Sequence, residues 1–185
     1  MIKLKKKLIL ASKSSTRARL LSASGLSYIQ KTPVTSEKDL KKEYLRDNNS
    51  IKNLSEYLSK EKALGVSKNN LQNIVIGADT VAELDGVLIE KSKNFNQAKK
   101  VLQKLSGKKH FLKTSVSVAN NGEVIWNYKQ ESCLEMHVLE DDYIDRYLLL
   151  AGQDILNSVG SYQIEGIGIN LFKKIQGTSK WTSHQ

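Results

Sequence analysis

Two short apolar stretches of this chain each end in residues that could do chemistry. Leu8-Ile9-Leu10-Ala11 gives way to Ser12-Lys13-Ser14, and Ile74-Val75-Ile76-Gly77-Ala78 gives way to Asp79-Thr80. Continuous apolar runs of this length read as buried strands. In an open α/β sheet ligands gather beyond the carboxyl ends of such strands, so both polar clusters are candidates for one cleft. Ser14 or Ser15 can cap a helix that carries Leu20 and Leu21, holds Arg17 in its first turn and stops near Gly25. Hydroxyls, backbone amides and a guanidinium at a helix N-terminus suit a phosphate, although an ordinary N-cap at Ser14 has the same sequence. Asp79 is the sharper candidate. A carboxylate directly after an apolar strand is costly to bury alone, so it needs a cation, a metal or a turn of backbone amides. A turn-capping aspartate and a functional carboxylate are both open on these grounds.

Lys62 is out of place in a related way. A helix from about residue 51 to 66 puts Ile51, Leu54, Leu58 and Val66 on one stripe, and Lys62 falls in line with them. A lysine on a core face either snorkels to solvent or ends in a polar cleft. Asp85-Gly86 then reads as a two-residue hairpin turn leading to Val87-Leu88-Ile89 and Glu90-Lys91. In a strict ladder Thr80 faces Lys91 and Asp79 faces Ser92, which sends Asp79 and Lys91 to opposite faces. A β-bulge between Thr80 and Ile89, or a three-residue loop, would bring them to one face.

The elements that must carry these residues follow from periodicity. Ala98, Val101, Leu102 and Leu105 recur at helical spacing and close at Gly107. A longer hairpin over residues 111–119 and 124–138 turns at Asn121-Gly122, and a capped helix from near Glu140 carries Tyr143, Ile144, Tyr147 and Leu148. Gly160, Gly166 and Gly168 precede a strand over residues 169–175, and the polar stretch over residues 35–50 reads as a surface loop. Helices and strands alternate, but two long hairpins interrupt them. That predicts an α/β fold with a mixed, parallel and antiparallel, twisted sheet and flanking helices, not a doubly wound parallel one.

Composition bounds the function classes. At 185 residues one domain is expected, and 39% hydrophobic with 26% charged residues argues against disorder. The net charge of +10 comes almost wholly from lysine, with only Arg17, Arg19, Arg46 and Arg146 as arginines. Nucleic-acid readers rely on arginine forks and aromatic platforms, so scattered lysines read as a solvated surface and no stable nucleic-acid partner is expected. No apolar run approaches the roughly 20 residues needed to cross a bilayer. The basic start, Met1 to Lys7, is followed by an apolar stretch far shorter than the roughly 7–15 residues of a signal-peptide core. It is read as leading into the first core strand of a cytoplasmic protein. The single Cys133 excludes an intrachain disulfide and a cysteine-built zinc site, and fits a reducing compartment. His110, His137 and His184 have no ligand spacing, and no Walker loop, dinucleotide fingerprint, His-Glu-x-x-His or nucleophile elbow is present.

Taken in order, the motifs resemble the Maf family of nucleoside triphosphate pyrophosphatases. Leu10-Ala11-Ser12-Lys13-Ser14-Ser15-Thr16-Arg17 is similar to that family's Leu-Ala-Ser-x-Ser-Pro-x-Arg start. Thr35-Ser36-Glu37 stands at its Asp-Glu loop, Glu61-Lys62-Ala63 at its Glu-Lys-Ala helix, and Gly77-Ala78-Asp79-Thr80 at its Gly-Ala-Asp-Thr strand end. Glu90-Lys91-Ser92 sits at its Lys-Pro, Leu105-Ser106-Gly107 with His110 and Thr114 repeats its Leu-Ser-Gly-x-x-His-x-x-x-Thr, and Gly160 through Gly168 resembles its glycine-rich Tyr and Gln/Glu loop. The matches run collinearly from Leu8 to Gly177. Ser15 and Ser92 replace prolines, Ser36 replaces the first acid of the pair, and after Gly177 the usual Gly-Leu-Pro segment and closing helix are not recognisable.

The resemblance implies a single Maf-like domain over residues 1–185, related to inosine triphosphatases. It implies hydrolysis of a nucleoside triphosphate, possible non-canonical or modified bases included, to a monophosphate and pyrophosphate. A triphosphate carries about four negative charges, which Arg17, Lys62 and Lys91 would neutralise. A hard divalent cation, Mg2+ or Mn2+, would take oxygen ligands from Glu37 and Asp79, and Asp79 would hold or deprotonate the attacking water. Glu37, Lys62, Asp79 and Lys91 are thus the catalytic set, and Ser12, Ser14, Thr16, Arg17, Thr80 and Glu165 the substrate-binding set. The family reading needs Asp79 and Lys91 in one cleft with Arg17 and Glu37, so an irregular hairpin is expected. It also leaves a homodimer open. Glu165, as an acceptor, favours a base edge that offers donors, hence a preference away from dTTP and UTP. The altered C-terminus admits a rival, a catalytically weakened nucleotide-binding protein of the same fold acting in cell-division control.

Overall fold

The apolar run that opens the chain is a strand, β1 (Leu8–Ala11), buried along its whole length. The computed structural model describes residues 6–47 and 50–177, so Asn48, Asn49 and the expected altered segment after Gly177 lie outside the described residues. The chain divides into two units, Met1–Asp79 with Thr114–Lys129, and Thr80–Lys113 with Gln130–Gln185.

In the first unit β1 pairs in parallel with β2 (Tyr28–Lys31) on one side and with β3 (Ile74–Leu84) on the other, Ala11 opposite Gly77. β2 carries no clear apolar signature, because three of its four residues are exposed, and sequence reading missed it. Helix α1 (Ser15–Ala23) starts at an Ser14 cap whose hydroxyl accepts from the Arg17 amide, and it buries none of its residues. The polar stretch read as a loop is instead a helix, α2 (Glu37–Asp47), with Leu40 its one buried residue. Its mostly charged surface hid the period, since a single apolar anchor leaves almost no stripe to read. Helix α3 (Leu54–Ser67) starts three residues later than its sequence stripe, and it buries Leu54, Leu58, Lys62, Ala63 and Val66. Ile9, Ala11, Val66 and Val75 form the small core of this unit.

β3 does not end at Asp79-Thr80, as the apolar run suggested. It continues to Leu84, so Asp79 is a strand residue inside the unit boundary and not a cap beyond it. The two-residue turn Asp85-Gly86 follows, both residues left-handed with φ 53° and 78°, a turn whose twist matches the flanking strands. It leads into β4 (Val87–Ile89).

The second unit is held by a larger core. Helix α4 (Phe95–Leu105), capped by Asn94, buries Ala98, Leu102 and Leu105 against α5 (Asp141–Ala151) and its Ile144 and Leu148. β5 (Lys109–Asn120) and β6 (Glu123–Met136) begin and end in this unit but turn in the 114–129 segment of the first, at Asn121-Gly122, again with two left-handed residues, φ 52° and 79°. The chain then passes through three short 3-10 turns before β7 (Phe172–Gly177). Residues 169–171, read as the start of that strand, belong to the last of these turns, Ile167–Leu171. The strand order is β2-β1-β3-β5-β6-β7, with β4 on β3; β1 runs parallel to its neighbours while β3–β4 and β6–β7 are antiparallel. The mixed α/β sheet is as expected.

One contact in the first unit sets the position of everything on α3. A Cβ added at Gly77 would meet the Ser59 carbonyl oxygen, lie 2.7 Å from the Ala63 backbone nitrogen and 3.0 Å from the Ala63 Cβ. Only glycine lets the backbone of α3 come this close to β3. Gly77→Ala is therefore expected to destabilise the protein by about 1–3 kcal/mol through overpacking. Urea unfolding measures it, and an unchanged midpoint would show that the helix does not rest on Gly77.

Candidate active site

Because α3 lies directly on β3, Lys62, one turn after Ser59, points along the strand toward Asp79, two residues after Gly77. Its ammonium donates to the Asp79 Oδ1 and, at 2.7 Å, to Glu37 Oε2. Lys62 is only 7% exposed and Asp79 2%. The lysine on the apolar stripe therefore does not snorkel; it ends on two carboxylates, which is what makes its burial tolerable. Glu37 reaches it from the first turn of α2. Ser36 caps that helix, its hydroxyl accepting from the Asp39 amide at 3.4 Å and its carbonyl from the Leu40 amide at 3.1 Å. The Tyr44 and Tyr57 rings pack with centroids 5.0 Å apart and fix α2 on α3. Lys41, which sequence reading did not single out, lies one turn after Glu37 and meets its Oε1 at 3.3 Å. The i, i+4 spacing was its signal, legible only once residues 37–47 are seen as a helix.

Electrostatics distinguish Asp79 from an ordinary aspartate. Burial pushes its carboxyl above the usual range, and the Glu37 charge adds to this, while Lys62 and Arg17 act in the opposite sense. Its Oδ2 is buried without a hydrogen-bond partner among the described residues. A carboxylate of raised pKa, still held beside an ammonium, is suited to take a proton at neutral pH.

The serines near Arg17 are used locally. The Ser14 amide donates to Ser12 Oγ at 3.1 Å, and the Arg17 amide donates to Ser14 Oγ at 3.3 Å, so Ser14 is the helix cap. The Gln30 side chain ties the Ser12 carbonyl at 2.8 Å. Thr16 and Arg17 are half-buried on the first turn of α1. The structure thus brings together Glu37, Lys62 and Asp79, with Arg17 near enough to act on the Asp79 charge.

Thr80, Lys91 and Glu165 belong to the second unit. Thr80 is half-buried in β3, and Glu165 is exposed on a turn between two 3-10 segments. The expected hairpin irregularity is not found. The pairs Ala82↔Ile89, Glu83↔Leu88 and Leu84↔Val87 are regular around a two-residue turn, which excludes the three-residue loop and any bulge within them. The ladder stops at Ile89, and Glu90, Lys91 and Ser92 leave the strand. Lys91 is exposed and lines a cavity of about 290 Å3 together with Leu88, Ser92, Lys100 and Lys104. Among the described residues no helix is long and apolar enough to cross a membrane, and no group of three or more His, Cys, Asp or Glu is arranged to hold a metal.

The family described as Maf-like protein matches residues 7–180. A protein of Bartonella henselae called 7-methyl-GTP pyrophosphatase is 41% identical over 92% of this chain and 85% of its own. One of the same description from Brucella abortus is 34% identical over 92% and 86%. A protein of Granulibacter bethesdensis called nucleoside triphosphate pyrophosphatase is 34% identical over 92% and 87%.

The raised Asp79 pKa has a consequence for stability. A carboxyl whose folded pKa lies above its unfolded value adds stability that is fully present below about 3.8 and is lost as pH rises through the raised folded value. The same carboxylate is one of the two that make the buried Lys62 ammonium tolerable. Asp79→Asn leaves that ammonium to Glu37 alone, so it is expected to lower the melting temperature by several degrees at pH 8. Thermal unfolding measures it, and a variant as stable as wild type at pH 8 would show that Lys62 does not depend on Asp79.

Proposed function

The chain belongs to the Maf family, and on that premise we propose that it hydrolyses nucleoside triphosphates between the α and β phosphates. The observation that carries this reading is the buried ammonium of Lys62 held between Asp79 and Glu37. Asp79 takes a proton from water as the water oxygen bonds to phosphorus. The bridging P–O bond breaks, and pyrophosphate leaves with the bonding electrons. Lys62 keeps Asp79 ionised despite its burial and offsets the phosphate charge as it moves toward the leaving group. Arg17 adds a second cation, with Ser12, Ser14 and Thr16 at the same helix start. By the family resemblance Thr80 and Lys91 would add to the phosphate-binding set, and Glu165 would read the base.

The donor set also suits Mg2+ or Mn2+. Two carboxylates, one with a buried orphan oxygen at Asp79 Oδ2, match an ion that takes one or two protein carboxylates and fills its shell with water and substrate phosphate. Glu37 and Asp79 would hold it, and it would supply charge neutralisation at the phosphates. The single Cys133 fits a reducing compartment, and the nucleotide pool on which such an enzyme draws is cytoplasmic.

For the base we propose 7-methylguanine. Two of the similar proteins carry that description. The chemistry agrees: guanine presents N1–H and N2–H donors on one edge, and a carboxylate such as that of Glu165 only accepts. Pyrophosphate release from 7-methyl-GTP, GTP, dTTP and UTP, with and without Mg2+ or Mn2+, tests this. We expect 7-methyl-GTP to exceed dTTP by roughly tenfold or more in kcat/KM, and Asp79→Asn to lower kcat by about 10²–10⁴-fold. A clear dTTP preference would overturn the base assignment. Stabilisation by nucleotide without turnover would make the protein a binder.

A further inference from the structure

Lys91 and Glu165 are 74 positions apart in the chain, yet the residues beside them meet. The Ser92 and Ser161 hydroxyls are 2.7 Å apart, and both side chains are buried, 6% and 0% exposed. Ser92 directly follows Lys91, and Ser161 stands four residues before Glu165. From this contact we infer that Ser92 and Ser161 are positioning residues, a buried hydroxyl bridge that sets the segment carrying Lys91 against the loop carrying Glu165 and so governs base discrimination. The inference rests on the roles proposed above for Lys91 and Glu165.

The backbone around the bridge is held in a form it would not choose. Ser161 is left-handed, φ 60°, directly after Gly160 at φ 77°. A non-glycine residue in that region is strained and persists only where its surroundings determine it. Here they do. The Ser161 hydroxyl meets Ser92, and its carbonyl accepts from the Tyr147 hydroxyl at 3.4 Å. The next residue, Tyr162, is 4% exposed; its hydroxyl shares a 2.7 Å hydrogen bond with His110 Nε2, and its ring meets Phe172 edge-on at 4.8 Å. A Cβ on Gly160 would run into the Tyr162 ring, 3.0 Å from its Cζ. Both neighbours of the strained bond are thus pinned, and the exposed turn with Glu165 begins immediately after them. At the other end, β4 has finished at Ile89, so no ladder bond fixes Lys91. The Ser92 hydroxyl does so instead, just before α4 is anchored by the Lys93 amide on Gln97 Oε1 at 2.9 Å.

A pair of buried hydroxyls adds little to stability for its own sake, since an apolar pair of the same shape can be nearly neutral. Its effect is therefore sought in geometry. The bridge predicts that losing either hydroxyl lets the two segments move independently, which weakens the preferred nucleotide more than the poorest one. Affinities and kcat/KM for the four nucleotides above are measured on Ser92→Ala, Ser161→Ala, the double variant and Ser92→Thr. The ratio of best to worst nucleotide is expected to fall by roughly fivefold or more in each alanine variant. The double variant is expected to fall no further, because one interaction is lost once. Ser92→Thr, which keeps the hydroxyl, is expected to restore the ratio. Equal loss on all four nucleotides, or an unchanged ratio in both alanine variants, would overturn the bridge. Turnover by the wild type tests the proposed reaction separately, and the affinity ratio is read whether or not that turnover is found.

Discussion

An ammonium shared by two carboxylates in a dry place is the constraint on which the first unit depends. Removing Lys62 and Asp79 from water costs several kcal/mol per ion, and their mutual attraction, with the partly exposed Glu37 beside them, repays this only when the geometry is tight. The tightness comes from backbone. Gly77 lets α3 lie against β3, which brings Lys62 to Asp79, and the Tyr44–Tyr57 contact brings α2 and its first residue, Glu37, onto the same ammonium. Each partner thus stands on a different element, and a shift of α3 or β3 would strand a buried charge. Such an arrangement is poor as a stabilising device and good as a prepared electrostatic environment.

The second unit uses a different chemistry to the same end. Its fixed points are aromatic rings and hydroxyls around His110, Tyr147 and Tyr162. Burial holds the His110 imidazole down at about 4 and pushes the Tyr147 hydroxyl up to about 12, so neither carries charge near neutrality. Where the family pattern has a proline after the lysine, this chain has Ser92, and a restricted backbone angle is exchanged for a hydrogen bond to Ser161. The two solutions restrain the same place by different physics.

Much of this was legible in the residues. The strands at Leu8–Ala11 and Val87–Ile89, the α4 stripe and both two-residue turns follow from apolar runs, helical spacing and the Asp-Gly and Asn-Gly pairs. Lys62 announced itself as a charge on a core face, and Asp79 as an acid in an apolar run. What escaped had no local signal. α2 hides behind a charged surface, and β2 is mostly exposed. The Ser92–Ser161 contact joins positions far apart in the chain, and nothing about either serine announces the other. The hairpin irregularity was argued from what the chemistry wanted and not from Asp85-Gly86, whose left-handed pair specified a regular turn.

The interleaving of the two units sets the order in which the chain can fold. The first unit needs residues 114–129, which follow the whole 80–113 stretch of the second. During synthesis, α1, α2 and α3 emerge well before the part of β5 and β6 that completes their unit, and the intervening α4 cannot finish its own core until residues beyond 130 arrive. Neither unit is a contiguous stretch that a ribosome could release to fold first. The sheet contacts are correspondingly non-local, and closing them defers folding until most of the chain exists. A nascent chain of this kind presents unpaired strand edges for longer than one built of sequential domains, and it is a poor subject for truncation into halves.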